Sequence, residues 1–423
     1  MSAVRISPGR VAGTIRAPPS KSYTHRALVA GHLAEHRYTV ENPLDADDTR
    51  ATAHALRPLG SLVRFSPRRW TVTSSPVHSR RLASIDCGES GTTLRFVAAL
   101  AGRSTRPVRL RGRGRLPHRP MAELLRALKS LGATCERPSG LGELPVTVRG
   151  PLHGGAVRLR ASLSSQFASA LLLTLPTVPG DSSLELVGPI VSEPYIAATL
   201  AVIRYHRVRV NRRGRRFSIP GSQNYRRAGM RVPGDASSAA YFWAAGGVTG
   251  GKVRVTGVST KWPQADLTIL DLLRSAGAEV HQQSDGATVD GGNLRRFTVD
   301  LTGSPDLYPL AGVLAATIPG RSRLEGAPQV VHKESNRQLG TRLLARAMGA
   351  EVRTERGGLT IRGTAHPRGF GLRGLDDHRI VMSAGVAALA GDRPSTIEDA
   401  SAVAKSYPEF WRALDSLRRR SNR

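Results

Sequence analysis

Phe167-Ala168-Ser169-Ala170-Leu171-Leu172-Leu173, then Val178-Pro179-Gly180, then Ser183-Leu184-Glu185-Leu186-Val187, is the stretch that decides the fold. An alanine- and leucine-rich run ends at a Pro-Gly break, and an alternating apolar–polar run follows as a half-buried strand. The order recurs downstream, where Leu310-Ala311-Gly312-Val313-Leu314-Ala315-Ala316 leads through Pro319-Gly320 into Ser322-Arg323-Leu324-Glu325. Such helices start near Ser22, Gly91, Gln166, Ser237, Asp306 and His378, at intervals of about 70 residues, a spacing that marks an internal repeat.

Each copy carries a second helix, and three of these end alike: Leu128-Lys129-Ser130-Leu131-Gly132-Ala133-Thr134, Leu273-Arg274-Ser275-Ala276-Gly277-Ala278-Glu279 and Ala345-Arg346-Ala347-Met348-Gly349-Ala350-Glu351. A Gly closing the helix and a strand-like continuation give helix–Gly–strand. Leu144 to Arg149, Phe297 to Leu301 and Leu359 to Arg362 read as hairpin strands. Six α–β–α–β units with alternating strands predict an α/β (α+β) protein with mixed sheets, in which three units close around a common helical core to make each of two similar domains. The expected N-terminal domain is 14–232 and the C-terminal domain is 1–13 plus 233–423. The hinge is expected near 13–18 and 230–234, the opening strand Ala3 to Ser7 pairing with the second domain. Anion clamps from the two halves are expected to meet in a cleft at that hinge.

At 423 residues with 40% hydrophobic content the chain supports a proper core, but aromatics are only 5%, so Ala, Leu and Val must build it. There is no run of eighteen apolar residues and no apolar stretch near Met1 that suits a signal peptide, so the expected location is the cytoplasm, without membrane contact. Cys87 and Cys135 are too few for a disulfide framework or a zinc site. The formal net charge is +30, from 62 basic and 32 acidic residues. That suits nucleic acid, but the charge is spread along the chain, stacking aromatics are scarce, and the Arg111–Arg115 RG tract and the Arg418–Arg423 tail are short. Lysine occurs at only six positions, and Lys21, Lys333 and Lys405 fall in the stretches singled out below.

Pro18-Pro19-Ser20-Lys21-Ser22-Tyr23-Thr24-His25-Arg26 puts an ammonium, a hydroxyl and a guanidinium in the first two turns of a helix, where free N–H groups and the dipole favour an anion. A capped surface helix with solvated charges explains the same residues. Asp86 to Arg95 contains a Gly/Thr turn suited to cradling an anion, and Arg160 to Gln166 offers hydroxyls and an amide that also serve as simple caps. His332-Lys333-Glu334-Ser335-Asn336-Arg337 flanks a carboxylate with cations, as acid–base chemistry needs, although an exposed charged turn is the plainer reading. No His/Glu spacing fits a metal site, and no Ser-His-Asp order is evident.

Taken in order, Pro19-Ser20-Lys21-Ser22 with Arg26, Gly91-Thr92-Thr93-Leu94-Arg95, Arg119-Pro120, Ser164-Ser165-Gln166, Ser192 with Pro194-Tyr195, Gly234-Asp235-Ala236-Ser237-Ser238, Asp306, Lys333-Glu334-Ser335, Arg337, Asp377-His378-Arg379 and Lys405 resemble the 5-enolpyruvylshikimate-3-phosphate synthase family. The resemblance runs from Val11 to Trp411. It implies two domains, each an inside-out α/β barrel of three βαβαββ units around buried helices. The implied activity is transfer of the enolpyruvyl group of phosphoenolpyruvate to the 5-hydroxyl of shikimate 3-phosphate, on the way to chorismate and the aromatic amino acids. No cofactor or metal is implied, and the expected state is a monomer with no specific nucleic-acid partner.

Shikimate 3-phosphate would engage Lys21, Ser22, Arg26, Ser164, Ser165, Gln166, Ser192, Tyr195, Asp306 and Lys333. Phosphoenolpyruvate would engage Lys21, Gly91, Arg119, Gln166, Arg337, Arg379 and Lys405. Asp306 is the implied base and Glu334 the implied acid or proton shuttle. Neighbouring cations disfavour a protonated acid, so either bound anions offset that field or Lys21 supplies the proton. The pattern departs at Glu89, Ser90, Glu193 (where Lys is frequent) and Gln329. Gly91 leaves room beside phosphoenolpyruvate, which implies sensitivity to glyphosate. The alternatives are the sister transferase acting on UDP-N-acetylglucosamine, whose loop cysteine or aspartate is missing between Arg111 and Arg119, and a nucleic-acid-binding protein on a related fold.

Overall fold

The alanine-rich runs become helices buried on every side, and the intervening runs become five four-stranded sheets and one three-stranded sheet. This is a computed structural model, and it describes residues 2–74, 81–137, 140 and 142–421, with side chains to 418. The end of the basic tail expected at 418–423 therefore lies outside the described residues. The chain divides into an N-terminal unit, Pro19–Val232, and a C-terminal unit, Met1–Pro18 with Pro233–Arg423.

The first strands, β1 (Ala3–Ile6) and β2 (Gly13–Arg16), belong to the C-terminal unit. The N-terminal unit begins with α1 (Lys21–Leu33), β3 (Tyr38–Glu41), α2 (Asp47–Ala55), β4 (Ser61–Ser66) and β5 (Arg69–Ser74). It continues with β6 (Ala83–Asp86), α3 (Gly91–Ala101), β7 (Val108–Arg111), α4 (Ala122–Ser130), β8 (Thr134–Glu136) and β9 (Val146–Arg149). Its third repeat is β10 (Ala156–Arg160), α5 (Ser165–Thr174), β11 (Ser182–Val187), α6 (Glu193–Tyr205), β12 (Asn211–Arg213) and β13 (Arg216–Ile219), after which comes β14 (Gly229–Arg231). Each repeat pairs its opening strand in parallel with the strand after the first helix, then adds an antiparallel hairpin, as in β6-β7-β9-β8 and β10-β11-β13-β12. The first repeat has no opening strand of its own, and β14 fills that place beside β3.

The C-terminal unit repeats the plan through α7 (Ala236–Thr249), β15 (Lys252–Thr256), α8 (Thr268–Ser275), β16 (Glu279–Gln283) and β17 (Gly286–Asp290). Its second repeat is β18 (Thr298–Asp300), α9 (Tyr308–Ala316), β19 (Gly320–Glu325), α10 (Arg337–Ala347), β20 (Glu351–Glu355) and β21 (Gly358–Gly363). Its last is β22 (Gly371–Arg373), α11 (His378–Leu389), β23 (Ser395–Glu398) and α12 (Phe410–Ser421). β2 opens the first of these sheets beside β15, and β1 closes the last beside β23. Residues 14–18 are thus tied to β15 by β2 and by the Ala17 amide on the Thr256 carbonyl, and the chain changes units at Pro18–Pro19. Phe297 to Leu301 is not a hairpin strand: β18 runs parallel to β19 and opens a repeat, because β17 has already completed the preceding hairpin.

Two kinds of helix follow from two sequence patterns. α1, α3 and α5 pack on one another inside the N-terminal unit, and α7, α9 and α11 do so in the C-terminal unit, where all twelve residues of α11 are buried. Alanine permits such close packing because it has almost no side chain to accommodate. The second helices bury a single face: α8 turns Ile269, Leu270, Leu272 and Leu273 inward and leaves Asp271 and Arg274 in solvent. The starts of both helix types carry the motif residues.

Candidate active site

In the N-terminal unit, Ser20 is the N-cap of α1 with extended backbone, yet its side chain makes no capping bond. Lys21, the first helical residue, pairs with Asp48 at the start of α2 (Nζ–Oδ2 3.0 Å), and both side chains are largely buried. Arg26 is buried with all three nitrogens engaged: Nη1 donates to the Ser22 carbonyl (2.8 Å), Nη2 to the Tyr195 carbonyl (3.0 Å) and Nε to Thr199 Oγ1 (2.9 Å). Burial pushes its pKa down to about 10, which leaves it charged at neutral pH. Arg26 thereby joins α1 to α6, whose N-cap Ser192 is buried in a left-handed conformation (φ 55°). A non-glycine residue held there is strained, a condition that clusters at functional sites.

Gly91 opens α3 directly beneath two guanidiniums. A Cβ there would lie 2.7 Å from Arg119 Cζ and closer still to Arg95 Nη1, so glycine is what allows both arginines to sit on the helix start. Gln166 at the start of α5 reaches across to Thr92 (Nε2 to Oγ1, 3.0 Å), while Ser164 caps α5 by accepting from the Gln166 amide. Beneath these residues runs a neutral chain: His25 Nδ1 meets Thr52 Oγ1 at 2.7 Å, Thr52 meets Thr93 Oγ1 at 2.7 Å, and Thr93 donates to Ser90 Oγ at 2.8 Å. Burial, with the nearby charges of Lys21 and Arg26, keeps His25 uncharged.

The C-terminal unit gathers its candidates around one side chain. Arg337, the first residue of α10, is 1% exposed. Its Nη1 binds Asp306 Oδ1 (2.6 Å), its Nη2 binds Glu334 Oε2 (2.7 Å) and its Nε binds Asp377 Oδ2 (3.0 Å). Asp306 also receives Arg379 Nη2 (3.1 Å) and stands 3.6 Å from Lys333 Nζ. Asp377 caps α11 through the Arg379 amide and accepts from Ser335 Oγ. Lys405 lies next to this group, paired with Asp376 (2.9 Å). The charged turn at 332–337 is therefore only partly solvated: His332 is exposed and Asn336 caps α10, which begins at Arg337, while Lys333, Glu334 and Ser335 face the ion-pair network. Burial alone would raise the pKa of Asp306, but Arg379, Lys333 and Arg337 hold it well below the usual carboxylate range. Burial opposes the charge on Arg337, and Asp377, Glu334 and Asp306 more than offset it.

Several participating residues carry no role in the motif reading. Asp48 and Arg95 are two, and Asp266 is a third: buried, it accepts from Ser237 Oγ at the start of α7. Burial and the charge of Asp306 push the Asp266 carboxyl upward. Gln264 holds the same helix start by accepting from the Ala236 amide (2.9 Å) and donating to the Gly234 carbonyl (2.9 Å). Both cysteines are buried free thiols. Among the described residues no group of three or more His, Cys, Asp or Glu is placed to hold a metal, and no helix is long and apolar enough to cross a membrane.

Paired three-repeat units with charged and hydroxyl groups at their helix starts are the architecture of the enolpyruvyl transferase-like fold. Two EPSP synthase structures from Acinetobacter baumannii align over 98% of both chains, with TM-scores of 0.81 and 0.79 at 24% and 23% identity. A profile of the EPSP synthase (3-phosphoshikimate 1-carboxyvinyltransferase) family matches residues 6–414, and the chain belongs to that family. Its relatives include 3-phosphoshikimate 1-carboxyvinyltransferases from Thermococcus kodakarensis (42% identical over 97% of each chain) and Methanocorpusculum labreanum (35% over 97% of each).

Proposed function

We propose that this chain transfers the enolpyruvyl group of phosphoenolpyruvate to the 5-hydroxyl of shikimate 3-phosphate and releases inorganic phosphate. One observation carries the reading: Asp306, Glu334, Arg337, Arg379 and Lys333 form a single ion-pair cluster in which a carboxylate for proton removal and a carboxyl for proton delivery are both bonded to the buried Arg337. The reaction needs that combination. A hydroxyl adds to C2 of phosphoenolpyruvate, a proton is delivered to C3, and the tetrahedral intermediate loses phosphate with a proton from the new methyl group.

Asp306 is ionised, but the three cations that keep it so also make it a weak base. Phosphoenolpyruvate brings a carboxylate and a phosphate that compete for Arg337 and Arg379. As those guanidiniums turn to the substrate their hold on Asp306 weakens, and its basicity rises at the moment it is needed. Glu334, bonded to the same Arg337, is the carboxyl placed to deliver the proton to C3. In the N-terminal unit Lys21, Gly91, Arg119 and Gln166 are assigned to phosphoenolpyruvate, and Lys21, Ser22, Arg26, Ser164, Ser165, Gln166, Ser192 and Tyr195 to shikimate 3-phosphate, together with Asp306 and Lys333. Arg337, Arg379 and Lys405 complete the phosphoenolpyruvate set. We take the enzyme to be a cytoplasmic monomer sensitive to glyphosate.

The test is phosphate release from phosphoenolpyruvate with shikimate 3-phosphate, with UDP-N-acetylglucosamine as a parallel acceptor. Release with shikimate 3-phosphate alone, lost in Lys21→Ala, is expected. Release with the nucleotide sugar, or with neither acceptor, overturns the assignment. Light scattering on the eluted protein checks the monomer.

A further inference from the structure

Between the C-terminal end of α6 and the β12–β13 hairpin lies a cleft of about 880 Å³ walled by Arg204, Arg209, Arg212, Arg213 and Arg216. Its lining contains no carboxylate and no aromatic ring, and its floor includes the buried Ile203 and Val208. Arg212 is occupied by Glu193 and stacks over Phe217, and Arg216 stands 3.5 Å from Glu185. Arg204, Arg209 and Arg213 are exposed and ion-pair with no described carboxylate. Compensation of the helix dipole accounts for Arg204, and protection of an edge strand accounts for charge on β12. Neither requires five guanidiniums to line one cleft with no carboxylate among them.

We propose that this cleft binds the phosphodiester backbone of a polynucleotide without reading its sequence. The uncommitted guanidiniums are spread over a helix end, a loop and a hairpin tip instead of converging on one point, which suits a repeating anion more than a single phosphate. The absence of a ring in the lining removes base stacking, so phosphates are what the cleft can recognise. Ser192 and Arg204 stand at opposite ends of α6, about 18 Å apart at 1.5 Å per residue, so occupancy of the cleft and catalysis are separable.

Fluorescence anisotropy with labelled oligouridine and oligothymidine of equal length, over a range of salt, tests the proposal. The variant Arg204→Gln/Arg209→Gln/Arg213→Gln is compared with Arg321→Gln/Arg353→Gln/Arg356→Gln, which removes the same charge from exposed positions of the C-terminal unit. The cleft variant is expected to lose about tenfold or more in affinity, and its log K against log salt to become shallower by about 2, at roughly 0.7 per lost single-strand phosphate contact. The control is expected to lose less than about threefold, and phosphate release from the enzyme's substrates to stay unchanged in both. The oligonucleotide held more tightly at matched salt identifies RNA or DNA as the source. Equal losses in the two variants, no binding at physiological salt, or tighter binding to phosphatidylglycerol vesicles than to either oligonucleotide overturns the proposal.

Discussion

In the N-terminal unit the helix starts carry cations, hydroxyls and an amide, and the groups beneath them are joined by a neutral chain of His25, Thr52, Thr93 and Ser90. In the C-terminal unit the same helix starts carry Asp306, Glu334 and Asp377 locked onto Arg337, with Arg379 and Lys333 around them. One repeat therefore supports two electrostatic designs. The neutral network fixes the helix starts, and beside it Lys21 pairs with Asp48, an arrangement that suits grip. A network of shared charges makes each carboxylate's proton affinity depend on what its cations are doing, which suits chemistry.

The largest test of that contrast is kinetic. Asp306→Asn and Glu334→Gln are expected to lower kcat by about 10²–10⁴ with little change in KM. Ser165→Ala is expected to raise KM for shikimate 3-phosphate about tenfold, the value of one bond to a charged group, and to leave kcat nearly unchanged. Steady-state rates decide, and an equal fall of kcat in Ser165→Ala would break the division.

Stability gives the next test. Asp377→Ala strands the buried Arg337 Nε and is expected to cost about 3–5 kcal/mol, whereas Thr52→Val in the neutral chain costs about 1–3 kcal/mol. Denaturant melts monitoring each variant measure both, and equal costs would remove the distinction.

Acid sharpens it further. Burial holds His25 well below its usual range and pushes His32 and His206 down to about 3 and about 4, all three in the N-terminal unit. Below the unfolded value of about 6.5 the unfolded chain takes protons that the native unit refuses. Each histidine then removes about 1.4 kcal/mol of stability per pH unit until its folded pKa is reached. Asp306 has the opposite sign of shift relative to its charge: its contribution is present above the ordinary carboxylate range and is lost only as pH falls toward its own low value. At about pH 5 the N-terminal unit should therefore lose amide-exchange protection first. Earlier loss in the C-terminal unit would contradict this.

The smallest expected effect is at Gly91. A Cβ there crowds Arg95 and Arg119, so Gly91→Ala should raise KM for phosphoenolpyruvate about tenfold and leave KM for shikimate 3-phosphate within twofold. Equal changes for both substrates would show that the arginines serve no single ligand.

The repeat was legible because alanine-rich helices and their Gly or Pro stops are local signals. Strand partners are not local. Nothing in Gly229–Arg231 says that it completes the sheet of β3, and the short run Phe297 to Leu301 carries no mark of its parallel direction. The site shows the same limit. Lys21, Arg26, Glu334 and Arg337 stand in dense motifs at helix starts and Asp306 stands out only through the family resemblance, whereas Asp48 reads as an ordinary first-turn acid and Asp266 as a lone aspartate until folding brings each to its partner.

β1 and β2 are made long before the strands they pair with. β1 needs Ser395–Glu398, so at about 5–20 residues per second it waits roughly 20–80 s of translation after its own synthesis. In that interval Pro19–Val232 has every strand it needs, since β14 supplies the missing one from within, and can mature while the leading segment is still an unpaired edge. A permuted gene that begins at Pro19 and carries residues 2–18 after α12 would bring that segment out beside partners already made, and shorten the time during which a bare strand is open to the wrong neighbour.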